Sequence, residues 1–260
     1  FLGLRNLTVI KNTVKDVKKN RGIDVDLSKI DVNDKNVIDQ FNKAKTIGLF
    51  QFESAGMRNF LKNLKPTVFD DLIAANSLFR PGPMDEIPKY IHNKNNPEDV
   101  TFIDPALKPI LDVTYGIIVY QEQVMQIVQK LAGYSLGEAD NLRRAMSKKK
   151  MAVMEEMISF AKYAFNKSHS AAYSLVAVQT AYLKYYYPEE YMANLISSVM
   201  DQSSKLYLYV NETKALGIEV LPPDVNKSFA EFSVEEGKII FGLSGIKNVG
   251  SNLIDSIVKA

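Results

Sequence analysis

The sequence predicts a mainly α-helical protein with a small β-hairpin near its C-terminus. Apolar residues recur at three- and four-residue spacing through most of the chain, which is the period of amphipathic helices. Capping residues precede several of these stripes, and glycine or proline follows them. The period changes only in "FSVEEGKIIFGL", where two apolar runs flank Glu236 and Gly237, a pair that favours a tight hairpin turn.

Two short helices are predicted in the first quarter of the chain. Asp34 is positioned to cap the first, whose apolar side consists of Val37, Ile38 and Phe41. Ser54 is positioned to cap the second, and Pro66 ends it. The apolar stripe of the second helix consists of Met57, Phe60, Leu61 and Leu64.

Longer helices follow. "QEQVMQIVQKLAG" places apolar residues at helical spacing ahead of Gly133, which suits a left-handed helix C-terminus. Ser135 and Glu138 stand in capping-box register, so a tight corner precedes the next helix. "HSAAYSLVAVQTAYLKYYYP" continues as a helix to Pro188, and "EEYMANLISSVMD" supplies another. The apolar residues before Gly133 are Val124, Ile127, Val128 and Leu131.

Composition excludes several classes of protein. With 260 residues, 46% of them hydrophobic and 24% charged, the chain is globular and long enough for one or two domains. It has no apolar run of membrane-spanning length and no signal-peptide pattern, so we expect a soluble, cytoplasmic protein. The absence of cysteine excludes disulfides and thiol nucleophiles, and two histidines make a multi-histidine metal site improbable. A net charge of +2 does not by itself indicate a nucleic-acid-binding protein.

A dense group of cations lies on the helix that starts at Ser135. Ala139, Leu142 and Met146 share one face of this helix, and burying that face directs the cations outward. Adjacent arginines can hold phosphate oxygens in bidentate geometry, so the group suits a triphosphate or a nucleic-acid backbone. The alternative is a solvated helix face with cations near a helix C-terminus. The outward cations are Arg143, Arg144, Lys148, Lys149 and Lys150.

A second polar group opens the helix that follows "FNKSH". His169 and Tyr173 are four residues apart and share a helix face, with Lys167 just before them. Backbone N–H groups at a helix start favour anions, and these three side chains could contact a phosphate, a sugar and a base. The alternative is a capped helix with a half-buried, hydrogen-bonded histidine.

Six stretches together resemble a known family. They are, in chain order, "FQFESAGM", "SLFRPGPM", "YGIIVYQEQVMQI", "LRRAMSKKK", "FNKSHSAAYSLVAVQTAYLK" and "LPPDVN". The same stretches occur in this order in the C-family replicative DNA polymerases, the alpha subunits of bacterial DNA polymerase III. The resemblance spans nearly the whole chain and identifies it as a fragment of the fingers domain with the end of the palm.

The resemblance implies three segments. Residues 1–47 would complete the palm and its connection, residues 48–215 would form a multi-helix fingers domain, and residues 216–260 would form the β-hairpin and the start of a helix-hairpin-helix element. In that element Gly245, Lys247 and Gly250 would bind DNA, because helix-start N–H groups bind phosphate whatever the base sequence. A glycine-rich turn before a terminal helix is the alternative.

The resemblance also assigns the polar groups to the incoming deoxynucleoside triphosphate (dNTP). Arg143 and Arg144 would hold the phosphates. Lys167 and His169 would lie beside the phosphate and the sugar, and Tyr173 would pack on the nucleotide. Such a surface suits phosphoryl transfer, which is accelerated mainly by positioning and by offsetting charge. The dNTP-binding residues implied are Arg80, Arg143, Arg144, Lys148, Lys167, His169 and Tyr173.

Arg80 lies in "FRPGP". Pro81, Gly82 and Pro83 must end the preceding helix and extend the chain at Arg80, which is a sufficient structural role for the turn. The resemblance places this turn near the active-site cleft, where Arg80 would reach an anion.

No metal site is predicted within the chain. The resemblance implies Mg²⁺ in the complete polymerase, held by two aspartates of an upstream palm strand and a third directly before Phe1, all outside this sequence. Asp24 and Asp26 form an Asp-x-Asp pattern, but their polar, turn-like surroundings predict a solvated loop. The acidic pairs at 70–71, 155–156 and 189–190 are interpreted as ordinary helix-start or helix-surface charges.

The complete protein would therefore be a DNA-directed DNA polymerase (a nucleotidyltransferase), and this chain alone is expected to be inactive. Its other implied partners are primer–template DNA, the sliding clamp and further replicase subunits. Two alternatives remain compatible with the residues. One is a helical nucleic-acid-binding or phosphate-binding module without polymerase chemistry. The other is an acid–base enzyme that pairs His169 with a carboxylate and needs no added metal.

The segment between "SKKK" and "FNKSH" is shorter here than in the family. We expect either a shortened chain or missing residues, with a discontinuity between Met154 and Met157.

Overall fold

The structure is a computed structural model that describes residues 4–102, 104–147 and 164–259; for residues 142–147 it describes the main chain alone. The described residues form twelve α-helices and one three-stranded sheet, so the predicted mainly helical class is confirmed. The helices are α1 (Arg5–Arg21), α2 (Lys35–Asn42), α3 (Ala55–Leu64), α4 (Phe69–Leu78), α5 (Ile87–Asn95), α6 (Lys108–Leu111), α7 (Gln121–Ala132), α8 (Leu136–Ser147), α9 (Lys167–Tyr186), α10 (Pro188–Ser197), α11 (Ser203–Ala215) and α12 (Ser251–Lys259). The strands are β1 (Val220–Leu221), β2 (Ser233–Glu235) and β3 (Lys238–Ile240).

The chain divides into two compact units. The first consists of Phe1–Gln40, Lys45–Ser54 and Val176–Ala260. The second consists of Phe41–Ala44 and Ala55–Leu175. None of the helices in the described part of the chain is both long enough and apolar enough to cross a membrane.

The first unit has its core around α10. Tyr191, Met192 and Ile196 of this helix are fully buried, and they cluster with Val9 of α1 and Phe232 before the hairpin. Such burial on almost every side explains why α10 is apolar around most of its circumference.

The predicted β-hairpin is confirmed. Strands β2 and β3 pair antiparallel, with Glu235 opposite Lys238. Glu236 and Gly237 form the two-residue turn, and both have positive φ (50° and 76°), which is the backbone that this tight turn requires. A third strand that was not predicted, β1, pairs in parallel with β3.

Two of the acidic pairs interpreted as ordinary charges contain a buried member. Glu190 is at the start of α10 and 1% exposed, and Nε and Nη2 of Arg21 donate to its two oxygens at 2.9 and 2.7 Å. Asp71, at the start of α4, is 3% exposed and lies 2.6 Å from Nζ of Lys94. Both are helix-start residues as predicted, but each carboxylate is an internal ion-pair partner and not a surface charge.

A third buried ion pair lies within the first unit. Nζ of Lys184 donates to Oε1 of Glu212 at 2.6 Å and to the carbonyl oxygen of Ile47 at 2.8 Å. The side chains of Lys184 and Glu212 are 2% and 14% exposed. Burial lowers the pKa of Lys184 from its ordinary value, although the Glu212 carboxylate opposes that change.

Two helix starts were predicted correctly from capping chemistry. Asp34 accepts the N–H groups of Asn36 and Val37 with one carboxylate oxygen, which confirms it as the cap of α2. Ser135 and Glu138 form the predicted capping box, with the Ser135 N–H donating to Glu138 at 2.8 Å.

The apolar faces of the helices were predicted well, with one error. The predicted stripe of α3 is buried at all four positions. In α7 the residues Val124, Ile127 and Val128 are buried, but Leu131 is 51% exposed. Leu131 lies in the last turn, next to a corner at which Tyr134 is also exposed, so the core ends one turn before the helix does.

Candidate functional site

Two serines join the helices that carry the candidate site. Oγ of Ser77 on α4 lies 2.8 Å from Oγ of Ser170 on α9 and 2.7 Å from the carbonyl oxygen of Ile73. Ser170 donates to the same carbonyl at 2.8 Å, and both serines are fully buried. Because these side chains are small and their hydroxyls bond to each other and to backbone, the end of α4 lies close to the start of α9.

A row of rings, flanked at one end by a guanidinium, starts where these two helices meet. We call it the ring row: Arg80, Phe165, His169 and Tyr173. Cζ of Arg80 lies 3.9 Å from the ring centroid of Phe165. The Phe165 and His169 rings meet edge to face with centroids 5.4 Å apart, and the His169 and Tyr173 centroids are 4.3 Å apart. His169 and Tyr173 are four residues apart on α9 and so share one helix face, whereas Phe165 precedes the helix and is placed by main-chain bonds to Val119 and Gln121.

Arg80 is held in this position by its own helix end. Its Nε donates to the carbonyl oxygen of Ser77 at 2.9 Å, which directs the guanidinium over the face of Phe165. Partial burial lowers the pKa of Arg80 from its ordinary value, yet an arginine stays protonated at neutral pH. The ring row therefore has a fixed positive charge at one end.

Lys167 adds a second cation at the start of α9. Its Nζ is 3.9 Å from a carboxylate oxygen of Asp70 and 5.3 Å from the ring centroid of Tyr120. The Lys167 side chain is 41% exposed, so the ammonium remains accessible to an anion. Burial, followed by the nearby carboxylates, raises the pKa of Tyr120, so this phenol stays neutral beside the lysine.

The protein itself occupies two of the N–H groups at the start of α9. The Lys167 N–H points to both oxygens of Glu122, at 3.2 and 3.1 Å. The His169 N–H donates to Oδ1 of Asn166 at 2.8 Å. These two N–H groups therefore already have partners within the protein, and anion binding at the start of α9 stays a prediction.

The structure brings four of the seven predicted dNTP-binding residues to one region. Arg80, His169 and Tyr173 belong to the ring row, and Lys167 lies at the same helix start. The other three are in or beyond α8. Arg143 and Arg144 lie within the helix, although their side chains are outside the description; Lys148 and the segment from Met154 to Met157 lie outside the described residues altogether.

Two residues in this region were not predicted as site residues, Phe165 and Glu122. Neither residue gives a signal in the sequence. Phe165 precedes α9 and is held by main-chain bonds to Val119 and Gln121, and the partner of Glu122, Lys167, is 45 positions away.

The predicted DNA-binding residues surround the turn before α12. Gly245 ends a short 3₁₀ turn, Lys247 is exposed, and α12 begins directly after Gly250. The carbonyl oxygen of Gly250 accepts the N–H of Leu253 at 3.1 Å, which starts the helix. The described chain here consists of a 3₁₀ turn, a further turn and one α-helix, with glycines at 245 and 250 on either side of the second turn.

The described residues of the chain do not provide a set of side chains suited to bind Mg²⁺. No three His, Asp or Glu residues there are grouped closely enough to hold a metal ion. Asp24 pairs with Lys18 at 2.7 Å, and Asp26 accepts from Ser28 and pairs with Lys29. The prediction that these two aspartates lie in a solvated loop is confirmed, since their side chains are 75% and 51% exposed.

Comparisons with known proteins give matches along the whole chain. Residues 6–167 match the family described as "Bacterial DNA polymerase III alpha subunit finger domain", and residues 217–260 match "Helix-hairpin-helix motif". The chain is similar to the DNA polymerase III subunit alpha of Bacillus subtilis (43% identical), Saccharopolyspora erythraea (44%) and Thermus aquaticus (43%).

These alignments cover 100% of the chain but only 24 to 26% of each relative, so the chain spans about a quarter of their length. The alignment with the Bacillus subtilis protein runs over 285 positions, 25 more than the 260 residues of this chain. The relative is therefore longer within the matched region, and a shortened segment between "SKKK" and "FNKSH" stays a prediction.

Proposed function

The chain belongs to the finger-domain family of bacterial DNA polymerase III alpha subunits, and we propose that it positions the incoming dNTP for template-directed DNA synthesis in chromosome replication. The observation that carries this proposal is the ring row with its flanking cations, of which Arg80, Phe165 and Lys167 lie within the residues that match the finger-domain family. A row of flat rings beside two cations matches the chemistry of a nucleotide, which offers a base, a sugar and phosphates.

Each residue takes a part that its chemistry allows. Arg143, Arg144 and Lys148 hold the phosphates by charge-assisted hydrogen bonds. Lys167 and Arg80 supply further positive charge at the start of α9. The exposed ring of His169 lies beside sugar and phosphate, and Tyr173 packs against the nucleotide. None of these groups makes or breaks a bond; they lower the barrier by orienting the triphosphate and offsetting its charge.

The remaining parts of the chain serve the same task. Residues 1–47 complete the palm, residues 48–215 form the fingers, and residues 216–260 contribute the hairpin and the start of the DNA-binding element. Gly245, Lys247 and Gly250 contact the phosphate backbone of primer–template DNA, as the helix-hairpin-helix match supports.

The complete protein is, in this proposal, a cytoplasmic DNA-directed DNA polymerase that works with a sliding clamp and other replicase subunits. Mg²⁺, when bound, stabilises the attacking and leaving oxygens in such enzymes. The resemblance assigns its ligands to aspartates of the longer protein.

Primer extension by the complete alpha subunit that carries this segment tests the proposal. Arg143→Ala and Arg144→Ala should each lower kcat/KM for dNTP by roughly ten- to hundredfold, since a charge-assisted hydrogen bond contributes on the order of 1.5 to 3 kcal/mol. His169→Ala should lower kcat/KM to a similar extent with all four bases. Lys62→Ala, which removes an exposed lysine of α3, is the matched control and should change nothing.

Binding of primer–template DNA must be measured on the same variants. We expect its Kd to stay within about twofold, because the cations contact the nucleotide and not the duplex. If the variants weaken DNA binding but incorporate dNTP normally on saturating DNA, the cluster is a backbone-binding surface. That result would favour the alternative, in which this region is a nucleic-acid-binding module without polymerase chemistry.

A further inference from the structure

Residues 119–123, which we call the anchor segment, fix the entry to α9. Gln123 is buried, and its side chain uses every hydrogen-bonding position it has. Its Oε1 accepts the N–H groups of Val119 and Tyr120 at 2.9 and 3.0 Å. Its Nε2 donates to Oγ1 of Thr114 at 2.7 Å and to the carbonyl oxygen of Ile110 at 3.2 Å. A fully satisfied buried amide of this kind holds the anchor segment in one conformation.

The anchor segment in turn holds the chain before α9. The Phe165 N–H donates to the carbonyl oxygen of Val119 at 3.0 Å, and the Phe165 carbonyl accepts the N–H of Gln121 at 2.9 Å. Both main-chain groups of Phe165 are therefore used. Two residues later, the Glu122 carboxylate receives the N–H of Lys167.

Glu122 acts on the helix in two ways. It accepts the first N–H of α9, which has no partner within the helix. It also places a negative charge at the positive end of a 20-residue helix dipole. Without it, the first N–H of α9 would lose its partner, and the main-chain pairing of Phe165 and the Ser77–Ser170 contact would remain to place the helix start.

We propose that Glu122 is a positioning residue for dNTP, acting through the start of α9 and resting on the function proposed above. The ring row begins at Phe165, and Arg80 and His169 both pack on that ring. A shift of residues 165–167 therefore moves the guanidinium, the imidazole and the Lys167 ammonium together. Glu122 itself touches none of the substrate; both of its oxygens face the Lys167 N–H.

The test compares Glu122→Ala with Glu122→Gln in the complete alpha subunit. Glu122→Ala should raise KM for dNTP by roughly tenfold with a smaller change in kcat, because misplaced binding groups weaken substrate orientation. Glu122→Gln keeps an oxygen acceptor for the Lys167 N–H and should recover most of that loss. Asp104→Ala is the matched control: Asp104 caps a short helix of the same unit by accepting the Ala106 N–H at 2.7 Å, and its loss should leave KM for dNTP unchanged.

Amide hydrogen exchange on the same variants reports whether the Lys167 N–H keeps its hydrogen bond, and it does not depend on a measurement of enzyme activity. The Lys167 amide should exchange at least about tenfold faster in Glu122→Ala than in the wild type, and near the wild-type rate in Glu122→Gln. Unchanged exchange at Lys167, or an unchanged KM in Glu122→Ala where His169→Ala raises it, would overturn the inference. If His169→Ala leaves kcat/KM for dNTP unchanged, the proposed dNTP site is wrong, and the functional role of Glu122 is wrong with it.

Discussion

Replacing Lys184 by methionine should cost the first unit about 3 kcal/mol of its free energy of unfolding. Methionine has nearly the same length as lysine, so the packing survives, but the Glu212 carboxylate and the Ile47 carbonyl lose their donor. Breaking a buried ion pair costs about 3 to 5 kcal/mol because the remaining charge is left without a partner. We take the lower end of that range since Glu212 is 14% exposed and can reach water.

A double variant separates the cost of the unpaired charge from the value of the pair. Replacing a buried ion pair by apolar side chains of similar volume is often neutral or stabilising, because both charges lose their water when they are buried. Lys184→Met combined with Glu212→Leu should therefore recover at least half of the loss. The Ile47 carbonyl remains without the Lys184 donor, which accounts for a residual cost of about 1 kcal/mol.

Lys205→Met is the matched control. Lys205 pairs with Glu53 at 3.0 Å, but the two side chains are 46% and 29% exposed, so this pair should contribute less than about 1 kcal/mol. Urea-dependent hydrogen exchange is the suitable assay, because it reports the first unit separately where two units need not unfold together. The reasoning fails if Lys184→Met costs no more than Lys205→Met, or if the losses from Lys184→Met and Glu212→Leu simply add.

Three further outcomes are expected. Gly242→Ala should destabilise the first unit by about 1 to 3 kcal/mol in a urea titration, because its new Cβ would lie 2.6 Å from the backbone of residues 230–232; Gly137→Ala, whose Cβ meets nothing within 4 Å, should be neutral or stabilising by up to about 1 kcal/mol. The pKa of Asp26 should be about 2 by side-chain NMR, since Ser28 donates a hydrogen bond to its carboxylate, and Ser28→Ala should raise that pKa. The ionised Asp26 therefore stabilises the fold above the ordinary pKa of 3.8, and this stabilisation is lost as the pH falls through about 2. The purified 260-residue chain should extend no primer with Mg²⁺ and all four dNTPs, and extension that copurifies with it through several columns would contradict the assignment of the metal ligands to other parts of the longer protein.

Local chemistry was enough to predict most of the helices and the hairpin. Asp34 and the Ser135–Glu138 pair mark helix starts because their side chains bond to N–H groups two or three residues away. The hairpin followed from Glu236 and Gly237 for the same reason, since the backbone of a two-residue turn is set within the turn.

Contacts between distant residues could not be predicted in this way. Strand β1 has two residues, too few for any alternation to show, and exists only because β3 pairs with it. The burial of Glu190 depends on Arg21, 169 residues earlier in the chain. Leu131 has the spacing of a buried position on α7, but it is exposed because the core ends one turn before this helix does.

The candidate site shows the same division. The spacing of His169 and Tyr173 predicted one shared face, and their rings are in contact. The packing of Arg80 on Phe165 depends instead on the serine contact between α4 and α9, which joins residues more than 90 positions apart. A single sequence shows which residues share one face of a helix, but it does not show which other helix packs against that face.

The shared core of the first unit limits how its C-terminal segment can be exchanged between relatives. Residues 217–260 match one motif, but Ile218, Phe232 and Ile239 of that stretch are buried together with α1 and α10 side chains. So short a segment buries little apolar surface by itself, and its core side chains pack with α1 from the start of the chain and with α10, which precedes it. A chimera that exchanges residues 217–260 should therefore also exchange the α1 and α10 side chains that face them, because the matched motif contains only part of its own core.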